Sequence, residues 1–327
     1  MAYKIVITPR TFGKLDPAPI DMLTQAGYDL ILNPFDRLLN EEELMGLIPE
    51  AHGLIVGLDP VSVKVLEKAR QLKVISKYGV GTDNIDLDTA TSMGILVLNA
   101  PGTNSGAVAE LALGLMLAVA RHISESDRKT RLGVWQSYRG IELWGKTLGI
   151  IGTGRTGREL ALRARGFSMV LICHDINQDE AWAHETGATY LPMKDILRKA
   201  DILSLHIPLT DTTHHIISAQ ELGLMKKSAI LINTARGELV DESALHEALA
   251  NQRLAGAGLD VWETEPPVDS RLTEFDNVVL TSHIGAHTLE ATKSMGKLAS
   301  MNLIQALSGA IPEFTINREV LKRLRRP

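Results

Sequence analysis

Lys146 to Gly157 reads KTLGIIGTGRTG, an apolar strand from Leu148 to Ile151 running into Gly152-x-Gly154-x-x-Gly157 at the mouth of a helix expected over Arg158 to Arg165. Each glycine has a separate physical task. Gly152 permits a tight turn, Gly154 lets a pyrophosphate approach the backbone, and Gly157 lets the helix pack closely on the strand. The helix's free N–H groups and positive dipole end then face the phosphates. A second apolar strand, Met169 to Cys173, leads to Asp175, 18 residues beyond Gly157. An acidic side chain there accepts hydrogen bonds from the adenosine ribose hydroxyls and repels a 2'-phosphate. No arginine follows in Ile176, Asn177 or Gln178. The stretch therefore reads as a dinucleotide site that prefers NAD.

A chain of 327 residues exceeds the usual single core. The fingerprint lies in its middle, so both chain ends are expected to build another unit. The first hundred residues carry their own α/β rhythm, with strands at Lys4 to Thr8, Leu30 to Asn33, Gly53 to Val56, Lys73 to Ser76 and Ile95 to Leu98. Helices are expected near Ile20 to Ala26, Glu41 to Ile48 and Ser62 to Ala69. Alternating strands and helices imply parallel sheets covered on both faces. The expected fold is α/β, two doubly wound Rossmann-like domains with a cleft between them. Residues 1–99 plus 288–327 would form the substrate-binding domain and residues 100–287 an inserted NAD-binding domain, with crossings near Asn99 to Gly102 and Gly285 to Thr288.

Composition fits an enzyme-sized globule, with 45% hydrophobic and 22% charged residues. A net charge of -5 gives no electrostatic case for nucleic acid or an anionic membrane. The terminal KRLRRP reads as a solvated end. Apolar runs at Ile5 to Ile7 and Leu111 to Ala120 are too short for a signal sequence and a membrane span, so the cytoplasm is the expected location. The single cysteine, Cys173, excludes an intrachain disulfide and a cysteine metal cluster, and no metal is expected.

Three polar residues follow three further apolar strands. Ile230 to Asn233 leads to Arg236, Ala257 to Val261 leads to Glu265, and Val278 to Leu280 leads to His283. Loops after the carboxyl ends of parallel strands line the ligand crevice. An arginine there can hold a carboxylate bidentately, a histidine can pass a proton near neutral pH, and a glutamate can orient that histidine. His206, His214, His215 and His287 compete for the proton-transfer role, but none combines a preceding strand with a following glycine.

These residues, with GVGTDNID (Gly79 to Asp86), NSGAVAE (Asn104 to Glu110), NTARGELVDESAL (Asn233 to Leu245), GLDVWETEPP (Gly258 to Pro267) and SHIGAHT (Ser282 to Thr288), carry a resemblance covering almost the whole chain. The sequence is similar to the D-isomer specific 2-hydroxyacid dehydrogenases, closest to the phosphoglycerate dehydrogenase branch. The resemblance implies reversible hydride transfer between a 2-hydroxy acid and NAD, with Arg236, Glu265 and His283 catalytic. It implies NAD contacts from Gly152, Gly154, Arg155, Thr156, Gly157, Asp175, Pro208, Thr213, Thr234, Ala235, Arg236, Asp260, His283 and Gly285, and substrate contacts from Lys77, Tyr78, Gly79, Val80, Asn104, Arg236 and His283. Thr156 stands where the family usually has an aliphatic residue. It implies a homodimer through residues 104–145, with a helix from Asn104 to His122 and an arm through Trp135 and Trp144. Phosphoglycerate enzymes of this kind tend to carry arginine at the position of Gly57 and a basic residue at that of Lys77, so 3-phosphoglycerate, glyoxylate, hydroxypyruvate and other sugar-derived hydroxy acids stay open. NAD-sensing corepressors resemble the same family but carry long extensions, and a phosphite-oxidising relative would need further basic residues.

Overall fold

In the computed structural model, which describes residues 2–323, the chain separates into two compact units, Met1–Asn104 with Ala286–Pro327, and Ser105–Gly285. The last four residues of KRLRRP lie outside those described.

The first unit holds a five-stranded parallel sheet of β1 (Lys4–Ile7), β2 (Asp29–Leu32), β3 (Gly53–Val56), β4 (Val74–Lys77) and β5 (Leu96–Leu98), in the order β2-β1-β3-β4-β5. Strands β3 and β4 are buried along their whole length, as continuous apolar runs covered on both faces must be. One face is closed by the 19-residue helix Leu289–Leu307 from the other end of the sequence, whose Ala299 and Leu303 pack with Ile5, Ile7 and Leu23. Polar clips fix that helix: Ser76 Oγ donates to Ala299 O at 2.9 Å and Ser300 Oγ to Pro19 O at 3.0 Å, both buried. The six-residue helix Leu87–Ser92, capped by Asp86, was not foreseen, because DTATS carries no apolar stripe.

The second unit holds seven parallel strands: β6 (Thr147–Ile151), β7 (Val170–His174), β8 (Thr189–Tyr190), β9 (Ile202–Leu205), β10 (Ile230–Asn233), β11 (Gly256–Leu259) and β12 (Val278–Leu280). Their order, β12-β11-β10-β9-β6-β7-β8, sends the chain outward from β6 on one side and then back across to β9. The carboxyl edge at this reversal, between β6 and β9, is where doubly wound sheets bind ligands. Helix Ser105–Ala120 lies on β10 and β11 because β11 is GAGL. A Cβ on Gly256 would meet Val119 at 2.8 Å and one on Gly258 would meet Leu115 at 2.9 Å, so only glycine admits the helix so close.

That helix ends at Ala120 rather than His122. His122 takes a left-handed φ of 53°, and a second helix, Ile123–Arg131, departs at 64°. Among the described residues no single helix is long and apolar enough to cross a membrane.

Candidate active site

The glycine loop obeys the geometry its sequence implies. Gly152 has φ 97°, and a Cβ there would lie 2.5 Å from the His206 carbonyl oxygen; one on Gly157 would lie 2.0 Å from Gly152 O. Both positions are closed to side chains by the protein itself. At Gly154 nothing lies within 4 Å of a would-be Cβ, so the reason for glycine lies outside the chain, as it does where a ligand takes the space. Gly154 is also the N-cap of helix Arg155–Ala164, which begins three residues before its expected start and has no side chain capping its first N–H groups. Arg155 is exposed and Thr156 half-buried on this first turn. A pyrophosphate fits this cradle by filling space and accepting from orphan amides.

Asp175 follows β7 directly. Its Oδ2 accepts from Thr153 N at 2.6 Å and Thr153 Oγ1 at 3.1 Å, and its Oδ1 accepts from Asn177 N at 2.8 Å. Thr153 Oγ1 is in turn 2.8 Å from the Tyr190 hydroxyl. The carboxylate is thus oriented by the glycine loop it serves.

Loop 208–213, after β9, is closed on itself. Thr213 Oγ1 donates to Pro208 O at 2.8 Å and accepts from Thr210 N at 2.8 Å, so its hydroxyl organises the loop. The Oγ1 of Thr234, after β10, is buried and has no hydrogen-bond partner among the described residues. An orphaned hydroxyl at the carboxyl edge is a place for a ligand's polar atom.

Arg236 leaves an extended backbone whose carbonyl accepts from Asn233 Nδ2 at 2.7 Å, while Ala235 N donates to Asn233 Oδ1 at 3.1 Å. Its Nη1 donates to Ala235 O at 2.6 Å. The next residue ties this loop to that of β11, since a Cβ on Gly237 would sit 1.9 Å from the Trp262 carbonyl carbon.

Glu265 and His283 come together. His283 Nδ1 lies 2.8 Å from Glu265 Oε2, with the two side chains 27% and 34% exposed. A carboxylate only accepts, so Nδ1 carries a hydrogen and Nε2 is left as the nitrogen that exchanges a proton. His283 takes a left-handed φ of 54°, held by its N–H to Asp260 O at 2.8 Å. Asp260 is 1% exposed, and its carboxylate accepts from Thr281 Oγ1 at 2.6 Å and from the amides of Ile284 and Gly285 at 2.8 Å each. Both its oxygens are spent on shaping the His283 loop, which the resemblance did not anticipate.

The rival histidines differ among themselves. His206 lies 2.8 Å from Ser204 Oγ through Nε2, and desolvation pushes it down to about 4, so it stays neutral. His215 Nε2 lies 2.8 Å from Glu263 Oε1, a second histidine–glutamate pair that neither strand position nor a following glycine signals.

In the first unit, Lys77 ends β4 and is 3% exposed, its ammonium donating to Gly57 O and Asn84 Oδ1. It is neither a loop residue nor a solvated one. Asn84 Nδ2 also donates to Gly57 O at 3.1 Å and Asp59 O at 2.6 Å, so Lys77 and Asn84 clip the 57–59 turn together. The Tyr78 hydroxyl donates to Thr292 O at 3.3 Å and lies 3.2 Å from Thr11 Oγ1. The carbonyls of Gly79 and Val80 accept from Ala100 N and Asn99 Nδ2 at 2.8 Å each, which fixes the loop. Asn104 is half-buried immediately before helix Ser105–Ala120.

Comparison with known proteins agrees with this geometry. Residues 113–285 match the model of the D-isomer specific 2-hydroxyacid dehydrogenase NAD binding domain. The chain is 41% identical to a glyoxylate reductase of Pyrococcus horikoshii over 89% of its own length and 90% of that protein's. It is 44% identical to a D-3-phosphoglycerate dehydrogenase of Methanocaldococcus jannaschii over 85% of its own length but 54% of that protein's. The solved structure of a glyoxylate reductase from Paecilomyes thermophila superposes with a TM-score of 0.87 at 30% identity, covering 97% of this chain and 99% of that one. The chain belongs to the D-isomer specific 2-hydroxyacid dehydrogenase family and is an NAD-dependent oxidoreductase acting on 2-hydroxy acids.

Proposed function

We propose that the chain is an NADH-dependent reductase of small 2-keto acids without an anionic tail, glyoxylate and hydroxypyruvate foremost. When bound, NADH supplies the hydride. The observation that carries the assignment of roles is the 2.8 Å pair of His283 Nδ1 and Glu265 Oε2, which dedicates Nε2 to proton exchange. Protonated His283 gives its Nε2 proton to the substrate oxygen during reduction and takes it back during oxidation. Glu265 fixes the ring and its tautomer through Nδ1. Arg236, a planar fork of donors, holds the substrate carboxylate and steadies charge developing on the oxygen. Gly152 to Gly157 would hold the cofactor's pyrophosphate, Asp175 would accept from its adenosine ribose, and the unpartnered Thr234 hydroxyl would offer it a further polar contact.

Lys77 supports the choice of substrate. Its ammonium already serves Gly57 O and Asn84 Oδ1 from a buried position, and position 57 has no side chain to add a cation. We read Lys77 as the organiser of the 57–59 turn rather than a reader of substrate tails, which weakens the case for 3-phosphoglycerate. The relative named glyoxylate reductase, matched along 90% of its length, favours the same choice. Following NADH absorbance against glyoxylate, hydroxypyruvate and phosphohydroxypyruvate tests it. Higher kcat/KM on the phosphorylated acid overturns the choice, and silence across a wider keto-acid panel points to the corepressor-like alternative.

A homodimer through residues 104–145 is part of this proposal. Leu132, Trp135 and Trp144 are 72%, 93% and 68% exposed on one arm, an arrangement that a second copy would bury. The cytoplasm is the compartment we propose, where reduced nicotinamide and the unpaired thiol of Cys173 are both at home.

A further inference from the structure

The loop that carries Glu265 is fixed by a reciprocal clasp between two other glutamates. Glu263 N donates to Glu242 Oε1 at 2.8 Å, and Glu242 N donates to Glu263 Oε1 at 3.1 Å. Each backbone amide is thus bonded to the other residue's carboxylate. Glu242 Oε2 also accepts from Ser270 Oγ at 2.9 Å, which closes the far end of the loop onto the same residue. His215 completes the arrangement, with Nε2 2.8 Å from Glu263 Oε1. Its own backbone is pinned in a left-handed conformation, φ 50°, by the bond from its N–H to Glu238 O at 2.8 Å. Glu238 lies two residues after Arg236, and Gly237 between them touches the Trp262 backbone. Two residues beyond Glu263, Glu265 holds His283 through Oε2 and accepts from Trp262 N through Oε1 at 3.3 Å.

Two carboxylates brought this close repel each other unless cations or amides intervene. Here backbone amides, the Ser270 hydroxyl and the His215 ring supply the donors. The titratable groups against His215 are Glu263 and the His214 ring stacked on it at 4.0 Å, with Glu242 of the helix Glu242–Ala250 bonded to Glu263 behind them. Glu263 Oε1 requires a donor, so His215 presents its Nε2 hydrogen there. A group spent in this way does not exchange protons with substrate. It fixes the backbone instead.

We propose that His215, Glu263 and Glu242 form a positioning clasp that sets the distance between Glu265 and His283 and joins their loop to that of Arg236, without touching substrate or cofactor. This rests on the roles assigned to Glu265 and His283 above. Misplacing a catalytic pair by about 1 Å costs on the order of 100-fold in rate. The clasp therefore acts through kcat and through the protonation behaviour of His283, while leaving cofactor binding alone.

The test compares His215→Leu, which cannot bond Glu263, with His215→Gln, whose amide nitrogen can reach the place of Nε2. Steady-state reduction is measured across pH, and the His283 ring is titrated by NMR in the NADH-bound enzyme labelled at histidine. His215→Leu is expected to lose about 10- to 100-fold in kcat with NADH KM within about twofold of the parent. The His283 titration and the pH profile of reduction should both move from the parent's, and His215→Gln should recover most of each. A fall in kcat with an unmoved His283 titration, or no recovery in His215→Gln, overturns the proposal. If His215→Leu does not fold, Glu263→Met, which can accept from neither His215 nor the Glu242 amide, must shift the His283 titration the same way, and an unmoved titration there overturns it equally. The NMR titration needs no turnover, so an enzyme inactive on every acid tried would sink the substrate assignment while still testing the clasp.

Discussion

His283 Nδ1 and Glu265 Oε2 lie 2.8 Å apart although 18 residues separate them along the chain. Strands β11 and β12 pair in parallel, Leu259 beside Leu280, so residues just past their carboxyl ends emerge side by side. The pair is therefore a consequence of sheet register, with the His283 loop held by the Asp260 carboxylate.

Glu265→Gln should keep a hydrogen bond to the ring but can offer Nδ1 either an amide oxygen or an amide nitrogen, so the ring is no longer held in one tautomer and kcat should fall in both directions. Steady-state rates in both directions check this, and rates that coincide with the parent's would exclude Glu265 as the partner. His283→Ala should lower kcat by about 10²- to 10⁴-fold with NADH binding nearly intact.

Asp175 is expected to set cofactor choice. Asp175→Ala combined with Ile176→Arg should shift preference toward NADPH by removing repulsion and adding a phosphate partner. Ile176 is 93% exposed, so an arginine meets no obstacle. The single Asp175→Ala change also frees Thr153 N–H and Oγ1, and losing such charge-assisted bonds, worth about 1.5 to 3 kcal/mol each, should weaken NADH binding in the single variant. Fluorescence titration with NADH and NADPH checks both effects. An unaltered protein that bound NADPH better than NADH would refute the reading of Asp175.

Legibility from sequence followed locality. Most strands were readable because buried parallel strands are continuous apolar runs, as Ile230 to Ile232 is, whereas β9, interrupted by Ser204, and the two-residue β8 were not read. The carboxyl-edge positions of Asp175, Arg236, Glu265 and His283 followed from those strands. What was not readable is made by contacts between distant residues. The bond of His215 to Glu263 spans 48 residues and the anchoring of Lys77 by Gly57 spans 20, and no periodicity encodes either. Asp260 stood as a cofactor contact only through the family resemblance. Only the three bonds into the His283 loop reveal its other task.

His206 gives a stability prediction. Its folded value is lowered from 6.5 to about 4 by desolvation, so between those values the unfolded chain binds a proton that the folded one refuses. Stability contributed by the neutral ring is complete above pH 6.5 and is lost as pH falls toward 4. At its steepest the loss is about 1.4 kcal/mol per pH unit for one proton. His206→Gln, which keeps a polar atom toward Ser204, should flatten this part of the curve. Urea unfolding at a series of pH values checks it, and parallel curves for parent and variant would show that the ring is hydrated when folded.

The exposed arm predicts assembly. Trp135, at 93% exposure, and Trp144, at 68%, are large apolar surfaces that a monomer would leave in water. Trp135→Glu with Trp144→Glu should convert a dimer to a monomer in sedimentation velocity. A parent that already sediments as a monomer at micromolar concentration would remove residues 104–145 from consideration as an interface.

Substitution of Lys77 is expected to separate the substrate classes. If its ammonium holds the 57–59 turn, Lys77→Met strips a donor from Gly57 O and Asn84 Oδ1 inside a buried site. Gly57 O keeps the Asn84 Nδ2 donor, but leaving Asn84 Oδ1 unpaired costs about 1 to 3 kcal/mol, and the variant should lose that much stability. The displaced turn should then raise KM alike for glyoxylate and for phosphohydroxypyruvate. A tail reader behaves differently, losing only the phosphorylated acid, whose distal charge a lysine pairs as a point charge. Gly57→Arg is the complementary change. A Cβ there meets Asp59 and Pro9 at 3.6 Å, ordinary contact, and the new guanidinium should improve the phosphorylated acid selectively. Equal KM changes in Lys77→Met together with a selective gain in Gly57→Arg would place substrate choice at position 57. A selective loss in Lys77→Met would return it to Lys77 and restore a phosphorylated acid as the substrate.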